Sequence, residues 1–157
     1  MKPGIVIVRF MSRNPAITLQ NFFSQSPDVP VNSKWDTLWH NETTPWDRGV
    51  PSPALVELLV DKQFPIAPSG KSVKALVPGC GRGYDVALFA GLSPVEKAVG
   101  LDVSAKAVEE AKKVQKDSSG QLEFVLGDFF SKTEDWATSG PYDAVYDYTV
   151  PPSEICV

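Results

Sequence analysis

The sequence predicts an α/β fold around a parallel β-sheet, and three features within residues 73–102 carry that prediction. The first is an apolar run, Val73 with Ala75, Leu76 and Val77, which reads as a buried parallel strand. A strand covered on both faces need not alternate apolar and polar residues. The second is the glycine-dense turn Gly79-Cys80-Gly81-Arg82-Gly83 that follows directly. The third is a helical segment, Tyr84 to Ala90, leading into a second short strand, Lys97 to Leu101, that ends on Asp102. Strand, glycine turn, helix, strand and acid form the βαβ layout that holds an adenosine-containing ligand. Its glycines let the backbone approach the ligand, and its acid takes the ribose hydroxyls.

Glycine spacing narrows the ligand. A dinucleotide fingerprint needs a third glycine three residues after the second, and Tyr84 stands there. The pattern present is GxGxG, as in S-adenosylmethionine (SAM) methyltransferases, where no pyrophosphate needs cradling. The acid usual shortly before the first glycine is absent, because Val77 and Pro78 occupy those positions. A purely structural tight turn competes for the glycines alone, and Asp102 at the end of the next strand favours the ligand site.

In chain order, residues 1–30 read as a basic, disordered leader. Residues 1–27 hold Lys2, Arg9 and Arg13 and no acid until Asp28 follows, a pattern compatible with mitochondrial targeting. Pro3 and Pro15 interrupt any amphipathic helix there, and a plain arm or a start at Met11 are the alternatives. Ile5-Val6-Ile7-Val8, cut off by Arg9, is too short for a secretory signal.

Residues 31–70 read as an aromatic lid and a first helix. Trp35 and Trp39 are spaced i,i+4 and share one face of a short helix, with Trp46 shortly after. They could simply pack into the core. Placed before a ligand-binding unit, they read better as a lid, since aromatic faces over a sulfonium cation gain about 1–2 kcal/mol when water is excluded. Pro53 to Phe64 has the pattern of a scaffold helix, and the stretch from Phe64 to Gly70 is a loop by its proline and glycine content.

Residues 71–149 form the α/β core of about four parallel strands with flanking helices. Ser104 is placed to cap a helix running to about Asp117, with Ala107, Val108, Ala111 and Val114 as its apolar stripe. Leu122 to Leu126 is a third strand running into Gly127-Asp128-Phe129-Phe130, and Tyr142 to Thr149 a fourth. An acid just past a strand's carboxyl end lies where ligands bind in open α/β sheets. Asp128 is therefore placed to accept from an adenine amino group with Phe129 against the ring, a plain turn acid being the alternative. Asp147 and Tyr148 could face the reacting groups.

Composition excludes several functions. The chain has 157 residues, 43% hydrophobic and 22% charged, which suits one globular domain. A net charge of −4 argues against a nucleic-acid partner. No apolar run approaches the ~20 residues of a membrane helix, so no membrane partner is expected. Cys80 and Cys156 lack metal-ligand spacing and His40 is the only histidine, so neither a metal site nor a serine–histidine triad is expected. A reduced, cytoplasmic setting is the simplest reading.

Taken together, Trp35, Trp39 and Thr44-Pro45-Trp46-Asp47-Arg48-Gly49, then VPGCGRGYDV, GLDVS, GDFF and YDAVYDYT, resemble the thiopurine S-methyltransferase family. They are especially similar to its plant and fungal thiol and halide methyltransferase branch, over Ser33 to Thr149 in the right order. The missing acid before the glycines is similar to that family too. The resemblance implies a Rossmann-like SAM-dependent methyltransferase fold, S-adenosyl-L-methionine as cofactor, and a small-molecule thiol or halide as acceptor. It implies that Trp35, Trp39 and Trp46 belong to the lid over SAM, Gly79 and Gly81 to the glycine turn, and Asp102 to the ribose. Asp128 and Phe129 would hold the adenine, and Tyr148 would line the reaction centre.

The chain departs from the family after the fourth strand, because residues 150–157 have no family character. The expectation is an N-terminal half with an incomplete sheet, its fourth strand an apolar open edge. A thiolate acceptor is partly ionised near neutral pH, so no catalytic base is nominated. Asp47 could orient the lid. Two other functions compete with methyl transfer: a truncated, inactive SAM-binding or regulatory isoform, and a nicotinamide-dependent oxidoreductase fragment, disfavoured by Tyr84. The oligomeric state is not legible.

Overall fold

The computed structural model describes residues 6–9, 16–24, 27–61, 71–117, 119–131, 136 and 140–148. Ten elements follow in order: β1 (Val6–Arg9), α1 (Ala16–Ser24), α2 (Val31–His40), α3 (Pro53–Val60), β2 (Val73–Pro78), α4 (Tyr84–Ala90), β3 (Val95–Asp102), α5 (Ala105–Val114), β4 (Leu122–Leu126) and β5 (Ala144–Asp147). All strand pairs are parallel, in the order β1-β5-β2-β3-β4. The chain steps outward from β2 through β3 to β4, then returns to lay β5 on the other side of β2. That reversal opens a crevice at the carboxyl ends of the central strands, where open α/β sheets bind ligands.

The strand side chains explain the apolar runs. Val73, Ala75 and Val77 join one buried cluster with Val86 and Phe89 of α4, Ala111 of α5 and Phe124 of β4. Leu76 turns the other way, into a second cluster with Val99, Leu101, Tyr142 and Val145. Because both faces of β2 are covered, its sequence loses the two-residue alternation.

Helix starts follow the local chemistry. Ser104 accepts from the Ala107 amide at 3.1 Å and begins α5 as expected. Ser52 caps α3 in the same way, accepting from the Leu55 amide at 3.2 Å with Pro53 just inside the helix. Gly83 precedes α4 with φ 76°, and a Cβ there would lie 2.4 Å from the Phe124 ring. The helix can enter the sheet this closely only over a glycine.

Boundaries shift for identifiable reasons. α5 ends at Val114, before the expected Asp117, because Gln115 is extended and the Asp117 carboxylate gathers the amides of Ser119, Gly120 and Leu122 into a turn. β5 begins at Ala144, two residues late, since the Asp143 carboxylate instead accepts from the Lys74 amide at 3.0 Å. β3 begins at Val95, two residues earlier than expected. All of the loop read at Phe64–Gly70, most of Thr133–Gly140 and the tail 150–157 lie outside the described residues.

Two expectations are corrected. The stretch read as a disordered leader contains β1 and α1. Its apolar Val6-Ile7-Val8 run suits a strand, and β1 pairs with β5 throughout, from Val6↔Ala144 to Arg9↔Asp147. Among the described residues the sheet accordingly has five strands, and the β5 edge expected to lie open is occupied by β1. Pairing satisfies the backbone groups that an edge would expose.

One polar network ties the elements around β2 together. The hydroxyls of Ser52 and Tyr146 lie 2.6 Å apart, and the Ser52 amide donates to Asp85 Oδ1 at 2.6 Å. Burial pushes the Asp85 carboxyl above its ordinary range, against the bonds from Ser52, and likewise raises the Tyr146 phenol. A carboxyl raised in the folded state costs nothing while both states are protonated, and its cost grows as pH climbs from the unfolded to the folded pKa. Asp85→Asn keeps an acceptor for Ser52 and removes the buried charge. Its thermal midpoint should exceed that of the parent chain at neutral pH, the gap closing below the ordinary carboxylate range in a pH series of melts. Gly83→Ala should cost about 2 kcal/mol or more in urea unfolding, from the clash with Phe124 and the left-handed backbone.

Candidate functional site

The floor of the crevice is the glycine turn. Gly79, Gly81 and Gly83 all take left-handed φ values, 60°, 52° and 76°. The turn is fastened to β3 by the Cys80 amide on the Leu101 carbonyl at 3.1 Å. Beneath it lies Asp102, only 7% exposed. Its Oδ2 accepts from the Gly81 amide at 2.9 Å and its Oδ1 from the Ser104 amide at 3.0 Å. Burial raises the Asp102 carboxyl, and these backbone bonds oppose the rise. One acid thus shapes the glycine turn and the start of α5 together.

The roof is built from the lid segment. Trp46 makes edge contacts with both Trp35 and Trp39, at centroid distances of 5.3 and 6.2 Å. Phe23 of α1 packs on Trp35 at 4.7 Å, so α1 extends the aromatic cluster. Lys34 fixes the two helices together by donating to the Phe23 carbonyl at 2.7 Å. Trp39 is buried against the turn: a Cβ on Gly81 would come within 3.3 Å of its ring. Glycine at 81 is therefore needed both for its backbone angle and for the indole above it.

Lid and floor are joined at three successive strand-end loops. After β2, Arg82 forms an ion pair with Asp47, and its guanidinium carbon lies 5.6 Å from the Trp39 ring centre. After β3, Asp36 accepts from Ser104 Oγ at 2.6 Å and from the Lys106 amide at 3.4 Å. The Ser104 bond is the main reason the Asp36 carboxyl lies below its ordinary range, with a smaller share from His40 at 3.2 Å. After β4, Asn32 Nδ2 donates to Asp128 Oδ2 at 3.1 Å. Asn32, Asp36 and His40 fall at i, i+4 and i+8 on one stripe of α2, where the first two reach strand-end loops and His40 backs Asp36.

Of the residues singled out in the sequence, Trp35, Trp39, Trp46, Gly79, Gly81, Asp102 and Asp128 gather around this crevice. Phe129 does not join the lid tryptophans Trp35, Trp39 and Trp46. It stacks on Trp136 at 5.2 Å and packs against the second apolar cluster, while the Trp136 indole donates to the Asp128 carbonyl at 2.8 Å. Tyr148 stacks on Tyr146 at 6.3 Å beside the first cluster, and Asp147 is buried at the end of β5. Sequence reasoning missed Asn32, Asp36, Arg82 and the Ser52–Asp85–Tyr146 network. The i,i+4 polar stripe beside Trp35 and Trp39, and the single cation inside the glycine turn, were the available signals.

Among the described residues no cluster of three or more His, Cys, Asp or Glu side chains could hold a metal ion. No described helix is long and apolar enough to cross a membrane. The site therefore offers backbone amides, two strand-end carboxylates and aromatic faces. One of those faces, on Trp39, already carries a cation.

The chain is similar to several known proteins. Thiocyanate methyltransferase 1 of Brassica oleracea is 35% identical over 126 residues, 79% of this chain and 50% of its own length. Probable thiol methyltransferase 2 of Arabidopsis thaliana is 37% identical over 117 residues, 73% of this chain and 46% of its own. The chain thus spans about half the length of the curated relatives it matches. Among solved structures, one from work on "Conversion of a Disulfide Bond into a Thioacetal Group during Echinomycin Biosynthesis" superimposes with TM-score 0.58 at 27% identity, over 77% of this chain and 48% of that one. A SAM-dependent methyltransferase from Anabaena variabilis shares the fold with TM-score 0.54 at 22% identity, over 76% and 49%. The family model described as thiopurine S-methyltransferase (TPMT) matches residues 31–151, from the first residue of the lid helix to beyond β5. Roof, glycine turn and strand-end acids all lie within that span, and the chain belongs to the thiopurine S-methyltransferase family.

Proposed function

We propose that this chain forms the cofactor-binding half of an S-adenosyl-L-methionine-dependent methyltransferase acting on a small thiol or halide. The observation that carries the reading is Trp39 closed onto Gly81 above the Asp102-held turn. The residues suit the cofactor's chemistry. A positive-φ glycine cradle admits a ligand close to the backbone, strand-end acids suit ribose and adenine, and aromatic faces suit a sulfonium. The names of the relatives, thiocyanate and thiol methyltransferases, support a sulfur nucleophile as acceptor.

When bound, SAM supplies an electrophilic methyl group for in-line displacement, a reaction governed mainly by alignment. Asp102 and Asp128 orient the nucleoside end, and Gly79 and Gly81 let the backbone come close. Trp35, Trp39 and Trp46 exclude water and face the cationic end. In this reading Asp147 and Tyr148, at the end of β5, would align the acceptor. No side chain is assigned as a base, since a small thiol is partly ionised near neutral pH. A second reading, cofactor binding without transfer, is favoured by β1, which occupies the side of β5 away from β2.

Calorimetric titration of the chain with S-adenosylhomocysteine tests the shared part of both readings, and micromolar binding is the expected result. Methyl transfer to an added small thiol, followed by product S-adenosylhomocysteine, separates them. Trp39→Ala should weaken binding by about tenfold, with Trp39→Phe intermediate, if the aromatic face meets the cation. Binding unchanged in a folded Trp39→Ala chain would remove the roof from the site. The Asp36 bonds depress its carboxyl, so their contribution is complete above the ordinary carboxylate range and lost as pH falls through the folded value. Binding should accordingly weaken in acid earlier for the parent than for Asp36→Asn, relative to each protein's neutral-pH value.

A further inference from the structure

Three anchors hold the lid, and one of them differs in kind. The Asn32–Asp128 and Asp36–Ser104 contacts are hydrogen bonds without a cation. The Asp47–Arg82 contact is an ion pair, with the Asp47 side chain only 9% exposed and that of Arg82 31%. Each partner is also fixed from behind. Asp47 Oδ1 accepts from the Gly49 amide at 2.9 Å, and the Asp47 amide donates to the Thr44 carbonyl at 2.9 Å. The turn that carries Trp46 is therefore folded around Asp47. On the other side, the Arg82 carbonyl accepts from Gln115 Nε2 at 3.1 Å, which holds the glycine turn against the end of α5.

Arg82 meets both tryptophan-bearing parts of the lid at once. Its guanidinium pairs with the turn holding Trp46 and lies over the ring of Trp39 on α2. A planar, weakly hydrated guanidinium can stack on the indole and donate to the carboxylate simultaneously, whereas a lysine ammonium is a compact point charge that cannot stack as a plane.

We propose that Arg82 is a positioning residue that latches the lid, clamping Trp39 and the Trp46 turn onto the glycine floor through Asp47 and so setting how long a bound cofactor stays. This rests on the cofactor reading above. Arg82 acts through the tryptophans and takes no part in the chemistry. A latch that opens transiently and closes again over an entered ligand slows escape more than entry, so it appears mainly in the dissociation rate. It also weakens with salt, because the guanidinium is partly exposed.

The test is a double-mutant cycle in the 157-residue chain, with Arg82→Gln, Asp47→Asn and the pair together, plus Arg82→Lys. Stopped-flow tryptophan fluorescence measures S-adenosylhomocysteine association and dissociation. Acrylamide quenching in the absence of ligand measures how well the lid tryptophans are covered. Each single variant should speed dissociation by about five- to tenfold with association nearly unchanged, and the double should add nothing further. Arg82→Lys should restore only part of the loss. Raised salt should speed dissociation in the parent and not in Arg82→Gln. Quenching should rise in all the variants while urea midpoints, which report global folding, move little. Unchanged dissociation and quenching in folded Arg82→Gln, or single effects that multiply in the double, would overturn the latch. If the parent itself fails to bind S-adenosylhomocysteine, the cofactor reading fails, and the quenching cycle decides the latch by itself.

Discussion

The carboxylate of Asp102 is the constraint on which the site depends. It is buried at the end of β3, where an isolated charge would be costly, and two backbone amides compensate it. One amide belongs to the glycine turn and the other to the residue that caps α5. The acid thereby locks two neighbouring strand–helix connections into one rigid floor. The left-handed angles at Gly79, Gly81 and Gly83 follow from the path the chain must take around it.

A rigid floor gives the lid something to register against. α2 cannot bury all of its surface in the core, and its polar stripe instead reaches the loops after β3 and β4, while Asp47 beyond it reaches the loop after β2. Each contact falls at the carboxyl edge of the sheet, so the segment can dock in only one place. The tryptophans are brought over Gly81 by this docking. The lid and the floor both fall within the residues that match the thiopurine S-methyltransferase family, and the chain spans about half the length of the curated relatives it matches.

The two sides of the sheet meet different fates. On the β4 side, helix α5 and the Phe129–Trp136 stack cover the faces of the strands. On the β5 side, the backbone is completed by β1, a segment distant in sequence. A parallel pairing of this kind requires a crossover connection, and contacts so distant in sequence form slowly because the loop-closure entropy must be overcome first.

The βαβ unit, the helix caps and the strand ends were legible from local chemistry. Strand Val73–Pro78, the glycine turn, helix Tyr84–Ala90 and strand Leu122–Leu126 follow from apolar runs, turn residues and helical spacing that act over a few residues. The helical spacing of Trp35 and Trp39 and the placing of the strand-end acids were legible for the same reason. Other features were decided only by tertiary structure. Asn32 and Asp128 are neighbours across 96 positions, Ser52 and Tyr146 across 94, and no local pattern encodes such pairs. Phe129 stacks on Trp136 against the second apolar cluster, a contact that no local pattern encodes. The apolar residues at 6–8 became a strand because an unpaired sheet edge was available to them. Sequence by itself determined which elements form, since propensity, capping and periodicity are short-range. Which of them meet was left to packing and to backbone groups that must find partners once water is excluded.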